Sequence, residues 1–390
     1  MSEIAQLRCG LAPMEGVTDF ATRLWFQLIG GMDFTWTPFL RVTDTFPSKL
    51  PESFAPEVTQ LRGLFKASLI FQVMGSRPDD VVRTADILGD RVDFIDLNCG
   101  CPSPTVVGSR AGSSLLERVD FFSSFIESVV KRLGPGRLSV KMRTGFHSRN
   151  EFPELLDAIK GHPLRQLTVH GRTRPDRYTG QASWELIEMA AKSCIFPVIG
   201  SGDICSKDAL LSRNEISPSV NGVIIGRGAL RNPWIFRDQT EAPVLMALVA
   251  FIALQELGLS ASDKLLELAE KTAGRQLSHE GEFWGIVQSV AELLGQTPQK
   301  PSDLVVSSRA LSRGKMLWNY LRSSLPDPFM APAVMRSSTL SDLILGIESI
   351  ARQNEMTLAS LELRYRRELD WMYSGAGRSH KVPDLIVAKL

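Results

Sequence analysis

Short runs dense in Val, Ile, Leu and Phe alternate, through the first 240 residues, with longer stretches whose apolar positions suit helices. The apolar runs are residues 8–14, 34–39, 68–74, 92–97, 138–143, 166–170, 196–200 and 222–225, and they end on Gly, Pro, Asn or charged residues. Near-continuous apolar strands separated by helices predict a parallel sheet covered on both faces. Eight of them in this length predict a (β/α)8 TIM barrel. A doubly wound sheet would place a glycine-rich loop after its first strand, where this chain reads Ala12-Pro13-Met14-Glu15-Gly16.

The pattern changes after Asn232-Pro233. Residues 241–353 hold leucine-rich helical periodicity, as in the segment that begins Lys264-Leu265-Leu266-Glu267, and predict an all-helical second domain with a loop at 295–301. The uncharged run from Ala242 to Leu254 is shorter than the roughly 20 residues a membrane-spanning helix needs. It is expected to be a buried helix, and no membrane partner is expected. Residues 354–390 form a charged extension, expected to start as a helix over 361–371 and to end as a flexible tail.

Composition narrows the function classes. An apolar share of 44% with 22% charged residues is ordinary for a globular chain. With a net charge of +1, any nucleic-acid binding must come from a local patch. Five scattered cysteines give no disulfide framework, and Met1-Ser2-Glu3-Ile4 lacks a signal pattern, so a reducing cytoplasm is expected. Cys99 and Cys101 are too close for a paired zinc knuckle, so no metal is expected.

Chemistry in such a barrel sits at the C-terminal ends of the strands. Those ends carry Pro13-Met14, Gln72, Asn98, Lys141 with Arg143, and His170, and two glycine-rich turns, Gly200-Ser201-Gly202-Asp203 and Gly226-Arg227-Gly228. Turns after the last two strands are where barrels bind phosphate through backbone N–H groups. A phosphate-bearing cofactor would give Lys141 the task of facing a ring that becomes anionic on reduction, as a flavin does. Gln72 would offer a donor and an acceptor to its edge. His170 reads equally as a donor in the cleft or as a structural residue at a strand end. Cys101 lies in a turn between Gly100 and Pro102, where a protonated thiol can act as an acid. The following segment, 106–112, reads as a mobile lid.

These residues resemble the tRNA-dihydrouridine synthases, and most of all the bacterial branch that modifies position 16 of the D-loop. The resemblance rests on Leu11-Ala12-Pro13-Met14-Glu15-Gly16-Val17-Thr18-Asp19, Phe71-Gln72-Val73-Met74-Gly75, Asp96-Leu97-Asn98-Cys99-Gly100-Cys101-Pro102-Ser103, Val140-Lys141-Met142-Arg143, Val169-His170-Gly171-Arg172-Thr173 and the segment from Val223 to Leu230. It implies bound FMN, NADPH as electron donor and tRNA as substrate. By position, Pro13, Met14, Gln72, Lys141, His170, Ser201, Gly202, Asp203, Gly226 and Arg227 would hold FMN. Cys101 would give a proton to C5 of the uracil as hydride reaches C6, with Asn98 and Arg143 against the base or its ribose. Arg41, Arg313, Lys315 and Arg336 would contact tRNA, the last three from the family's helix of pattern R-x-K-x-x-x-x-Y-L and its neighbourhood. A monomer is expected. The sequence departs from the family pattern at Ser201, where Asn is usual, at Pro38, where the position-16 branch carries an acid, and in a longer segment over 257–308.

Two other readings use the same residues. One is a small-molecule FMN oxidoreductase of the dihydroorotate dehydrogenase type. The other is a tRNA-binding folding helper without chemistry. The helical domain argues against the first, and intact Cys101, Lys141 and His170 against the second.

Overall fold

The computed structural model describes residues 7–49, 54–108, 110–237, 239, 241–358 and 361–362. Eight parallel strands close on themselves: β1 (Arg8–Leu11), β2 (Phe34–Trp36), β4 (Ser68–Met74), β5 (Ile95–Cys99), β6 (Leu138–Arg143), β7 (Leu167–His170), β8 (Val198–Ser201) and β9 (Gly222–Ile225). β1 pairs with both β2 and β9, and β2 pairs with β4, which completes the ring. The expected barrel is therefore the fold.

Strand alternation divides the side chains into two sets. Phe71, Val73, Ile95, Leu97, Leu138, Val140, Leu167 and Val169 point outward into the large core shared with the helices. Ala12, Phe34, Trp36, Ile70, Ile199 and Ile224 pack with each other inside the barrel. The outward set faces α1 (Phe20–Ile29), α2 (Pro78–Leu88), α4 (Val119–Leu133), α5 (Phe152–Lys160), α6 (Trp184–Ser193) and α7 (Lys207–Ile216). A very short α3 (Pro104–Gly108) and α8 (Arg227–Arg231) lie in the loops after β5 and β9.

Several element ends differ from expectation. β1 stops at Leu11 and β2 at Trp36, because the Pro13 and Pro38 segments cannot continue a ladder. β5 runs from Ile95 to Cys99, starting three residues after its apolar run begins and ending two residues after it, since polar Asn98 faces the barrel interior and not a turn. An unexpected strand, β3 (Leu40–Arg41), pairs with the end of β4.

Beyond the barrel lie α9 (Val244–Ser260), α10 (Ser262–Thr272), α11 (Glu280–Leu293), α12 (Ser308–Leu321) and α13 (Leu340–Gln353). α9 is buried on every face from Val244 to Leu257, which accounts for its apolar run without a membrane. No helix among the described residues is long and apolar enough to cross one. It packs on α1, where Trp25 Nε1 donates to the Ala247 carbonyl at 2.9 Å and the Trp25 ring meets Phe251 edge-on. On its other side α12 approaches so closely that a Cβ on Gly314 would lie 2.3 Å from Ile252. Of the helix expected over 361–371, only residues 361 and 362 are described, and they are not helical. Leu361–Glu362 form a strand, β11, antiparallel to β10 (Glu241–Ala242), and residues 363–390 lie outside the described residues.

Candidate active site

The inner ends of the strands bring the expected residues to one height. Gln72 is level with Asp96, Asn98 with Lys141, Arg143 with His170, and His170 with Ser201. All of them belong to the inward set, above the apolar plug, by the two-residue period of a strand.

Cys101 is held on its loop from both sides. Its backbone N–H donates to Asn98 Oδ1 at 3.0 Å, as does that of Gly100. Its carbonyl accepts from Ser113 Oγ at 2.8 Å and from the Ser113 N–H at 3.2 Å. The side chain packs beside Met74, Val106 and Ala111. Gly112 has φ +60°, and a Cβ there would come within 2.7 Å of Val106 and 3.2 Å of the Cys101 Cβ. In this structure Val106 and Ala111 of the segment expected as a mobile lid pack against the cysteine; residue 109 lies outside the described residues. Burial pushes the Cys101 thiol up, and Glu15 adds to this, against a Ser103 N–H and the cations Arg143 and Lys141. The sulfur therefore carries its proton at neutral pH. Cys99, one strand position before the turn, is fully buried among outward apolar residues, as expected of a small core residue.

Lys141 is half-buried and makes no hydrogen bond or ion pair with any described residue. Burial, with Arg143 nearby, pushes its ammonium down to about 8, while Asp96 and Cys101 oppose the shift. Burial together with Arg143, Lys141, Arg172 and Arg227 holds His170 well below the usual imidazole range, so at neutral pH its ring is uncharged. It can then donate from one nitrogen and accept at the other.

Arg143 was expected against the substrate and is almost wholly buried. Nε donates to the Gly100 carbonyl at 2.7 Å, and Nη1 to the carbonyls of Thr173 and Arg177 at 2.8 and 2.9 Å. It thereby ties the cysteine loop to the loop after β7. Gln72 is fully buried, its amide donating to Asp96 Oδ2 at 2.7 Å and accepting from Asn98 Nδ2 at 2.9 Å. It supports Asn98 from below, where a place open to a ring edge was expected.

Asp203 follows Gly202 in the left-handed region at φ +54°. Its carboxylate takes Arg172 at 2.6 Å and the Ala182 N–H at 2.7 Å, both partners buried, so it braces the turn after β8. Ser201 ends β8 facing inward. The turn after β9 stays open: a Cβ on Gly226 would meet only Met14 Sδ at 3.6 Å and the Ala12 Cβ at 3.7 Å. Pro13 and Met14 line the same side, half-buried.

Arg313 was expected on tRNA, and the structure turns it toward the barrel. Its guanidinium donates to the Gly16 and Val17 carbonyls, to Asp19 Oδ2 at 2.7 Å and to Gln255 Oε1 at 3.2 Å. These bonds tie α12 to the loop after β1 and to α9. Lys315 donates to the Ser337 carbonyl at 3.0 Å. Arg41 and Arg336 are exposed.

Sequence reading missed three residues. Asp96 and Arg172 sit inside quoted motifs, yet only the fold shows them as buried partners of Gln72 and Asp203. Tyr178 is half exposed on the loop after β7, with the guanidinium of Arg227 4.9 Å and that of Arg143 5.7 Å from its ring centre. An isolated tyrosine in a polar loop gave no signal of this. Among the described residues no cluster of three or more His, Cys, Asp or Glu is placed to hold a metal.

This geometry can be set beside known proteins. Residues 10–264 match the family model described as dihydrouridine synthase. A probable tRNA-dihydrouridine synthase of Aquifex aeolicus is 29% identical over 236 residues, covering 59% of this chain and 72% of that protein. A tRNA-dihydrouridine(16) synthase of Haemophilus ducreyi is 34% identical over 234 residues, covering 58% of this chain and 71% of that one. A tRNA-dihydrouridine(47) synthase of Coprinopsis cinerea, with NAD(P)(+) in its name, is 36% identical over 190 residues, which are 44% of this chain and 27% of that one. The family match runs from within β1 through β9 and takes in the ring of inward polar residues, and the chain belongs to the dihydrouridine synthase family of oxidoreductases.

Proposed function

We propose that this protein reduces a uridine of tRNA, at position 16 of the D-loop, to 5,6-dihydrouridine, with FMN as bound cofactor and NADPH as electron donor. The observation that carries the reading is the Cys101 loop, fixed between Asn98 and Ser113 at a barrel mouth where Lys141 has no hydrogen-bonding partner among the described residues. Its expected home is the cytoplasm, and the acting unit is a monomer.

The residues present fit FMN. Lys141 is a half-buried cation without a hydrogen-bonding partner among the described residues, which suits a ring that gains negative charge. The Gly226 turn leaves room at its Cα, and Gly202 and Arg227 flank the same side, which suits a phosphate. Pro13, Met14, Lys141, His170, Ser201, Gly202, Gly226 and Arg227 would hold it, with Gln72 and Asp203 supporting from behind. Bound and reduced, FMN supplies the hydride that C6 of the uracil accepts.

The chain's own residues do the remainder. Cys101 Sγ carries the proton for C5, and the raised thiol value keeps that proton in place until the base is seated. Asn98 and Arg143 fix the cysteine loop and face the base. The uridine must leave its stack to reach this depth. Arg41, Lys315 and Arg336 supply cations toward tRNA phosphates. In vitro, purified protein with unmodified tRNA and NADPH should form dihydrouridine, and tRNA from cells lacking the protein should lose it at position 16. Dihydrouridine unchanged at every position in such cells would refute the reading.

A further inference from the structure

A buried carboxylate controls the site without touching the substrate. Gly100 and Cys101 offer backbone N–H groups, which can only donate, and both meet Asn98 Oδ1 at 3.0 Å. Asn98 must therefore turn its carbonyl to the cysteine loop and its NH2 the other way, where Nδ2 donates to Gln72 Oε1 at 2.9 Å. Gln72 in turn must present its NH2 at its far end, where Nε2 donates to Asp96 Oδ2 at 2.7 Å. The chain needs a terminal acceptor, and a carboxylate is the side chain that has no donor to offer in its ionised form. Ser139 Oγ donates to the other oxygen, Oδ1, at 2.5 Å. Asp96, Gln72 and Ser139 are fully buried, so no water competes for these bonds.

We infer that Asp96 is a positioning residue for uridine reduction, which acts through Gln72 to lock the orientation of the Asn98 amide. The lock has two consequences. It sets the Cys101 loop, because the same Oδ1 holds two of its N–H groups. It also limits what Asn98 can show the base. Both lone pairs of Oδ1 and one N–H of Nδ2 are engaged, so one N–H remains, and that donor selects a carbonyl oxygen of a pyrimidine. An amide free to rotate would present donor and acceptor alike. The backbone amides at one end and the carboxylate at the other agree on a single orientation of both amides.

The inference rests on the proposed uridine reduction. A wild-type enzyme that forms no dihydrouridine would sink that reading, and the failure would be visible before any variant is made. The test uses flavin-loaded full-length protein, with two rates measured separately: flavin reduction by NADPH, and transfer to unmodified tRNA in a single turnover. Asp96→Ala removes the terminal acceptor. Measured at about pH 6, far enough below the Lys141 value of about 8 for the lysine to stay cationic without the Asp96 charge, it should keep its flavin and its rate of reduction by NADPH, and slow the uridine step about tenfold or more, the scale of one hydrogen bond lost from a preorganised site. Asp96→Asn keeps an acceptor oxygen and should recover most of that loss. Combined with Asn98→Ala, Asp96→Ala should slow the step no further, since both act through one amide. An unchanged uridine step in Asp96→Ala overturns the inference. So do equal losses in both rates, an Asp96→Asn variant as slow as Asp96→Ala, or effects that multiply in the double variant. Should Asp96→Ala fail to fold, Gln72→Met cuts the same chain one link nearer the base, and a normal uridine step there would overturn the inference equally.

Discussion

Arg313 Nη2 lies 2.7 Å from Asp19 Oδ2, which joins α12 of the helical domain to the N-cap of α1 in the barrel. The same guanidinium holds the Gly16 and Val17 carbonyls, two and three residues past Met14. Gln255, buried in α9, completes the junction by donating to Asp19 Oδ1 and Thr22 Oγ1. The helical domain thereby sets the loop that follows β1. Arg313→Ala should cost about 1–3 kcal/mol in denaturant unfolding, because several acceptors lose their donor at once. The salt dependence of tRNA binding should hardly change. Lys315→Ala and Arg336→Ala should do the reverse: little change in stability and a shallower slope of log affinity against log salt.

Cys101→Ala should retain flavin absorbance and lose dihydrouridine formation by about 100-fold or more, the usual scale for losing a general acid. Mass spectrometry of reacted tRNA reads the product, and full activity would remove the thiol from the mechanism.

The pH profile should have one descending limb near neutrality. Lys141 is cationic below its value of about 8 and neutral above it, so flavin reduction should slow as pH rises through that point. Burial raises the Cys101 thiol above its ordinary range, so its own limb lies on the alkaline side of the Lys141 value, and His170 stays neutral because its value is held well below the usual imidazole range. Neither adds a limb there. In Lys141→Met the rate should be low and flat. A wild-type rate that holds level from pH 7 to 9.5 would contradict the role given to Lys141.

Gly112→Ala should reduce turnover with little loss of bound flavin. The added methyl meets Val106 and Cys101 in a backbone conformation that side chains resist, with a cost of about 1–3 kcal/mol. The Cys101 side chain is what the methyl displaces, so on the proposed role of its thiol the uridine step should fall more than thermal stability does.

Breaking the Arg172–Asp203 pair should be a matter of stability first. Both side chains are essentially unexposed, and Asp203→Ala leaves a buried guanidinium short of its carboxylate, at about 3–5 kcal/mol. Thermal melting should show it, together with weaker flavin retention as the turn after β8 loosens.

The barrel was legible because its cause is local and repeated. Apolar runs of strand length, each followed by a helix, can bury both faces in few other ways. The rim residues were legible for the same reason: Lys141, His170 and Asn98 stand where an inward strand position meets a turn. The apolar run of α9 also announced its own burial. What each polar group does with its hydrogen bonds was decided elsewhere. Arg313 reads along the chain as a cation on a helix, and only packing of α12 against the loop after β1 supplies acceptors nearly three hundred residues away. Gln72 and Asp203 sit in motifs that fit a cofactor, yet the fold gives them Asp96, Asn98 and Arg172 as neighbours. Periodicity is a property of consecutive residues, so sequence alone determined the eight barrel strands, the helices between them and the composition of the barrel mouth, while β3 and the β10–β11 pair, two residues each, needed partners from elsewhere in the chain. Hydrogen-bond partners come from distant segments brought together, so the tertiary structure alone decided which of those polar residues face the reaction and which hold the others in place.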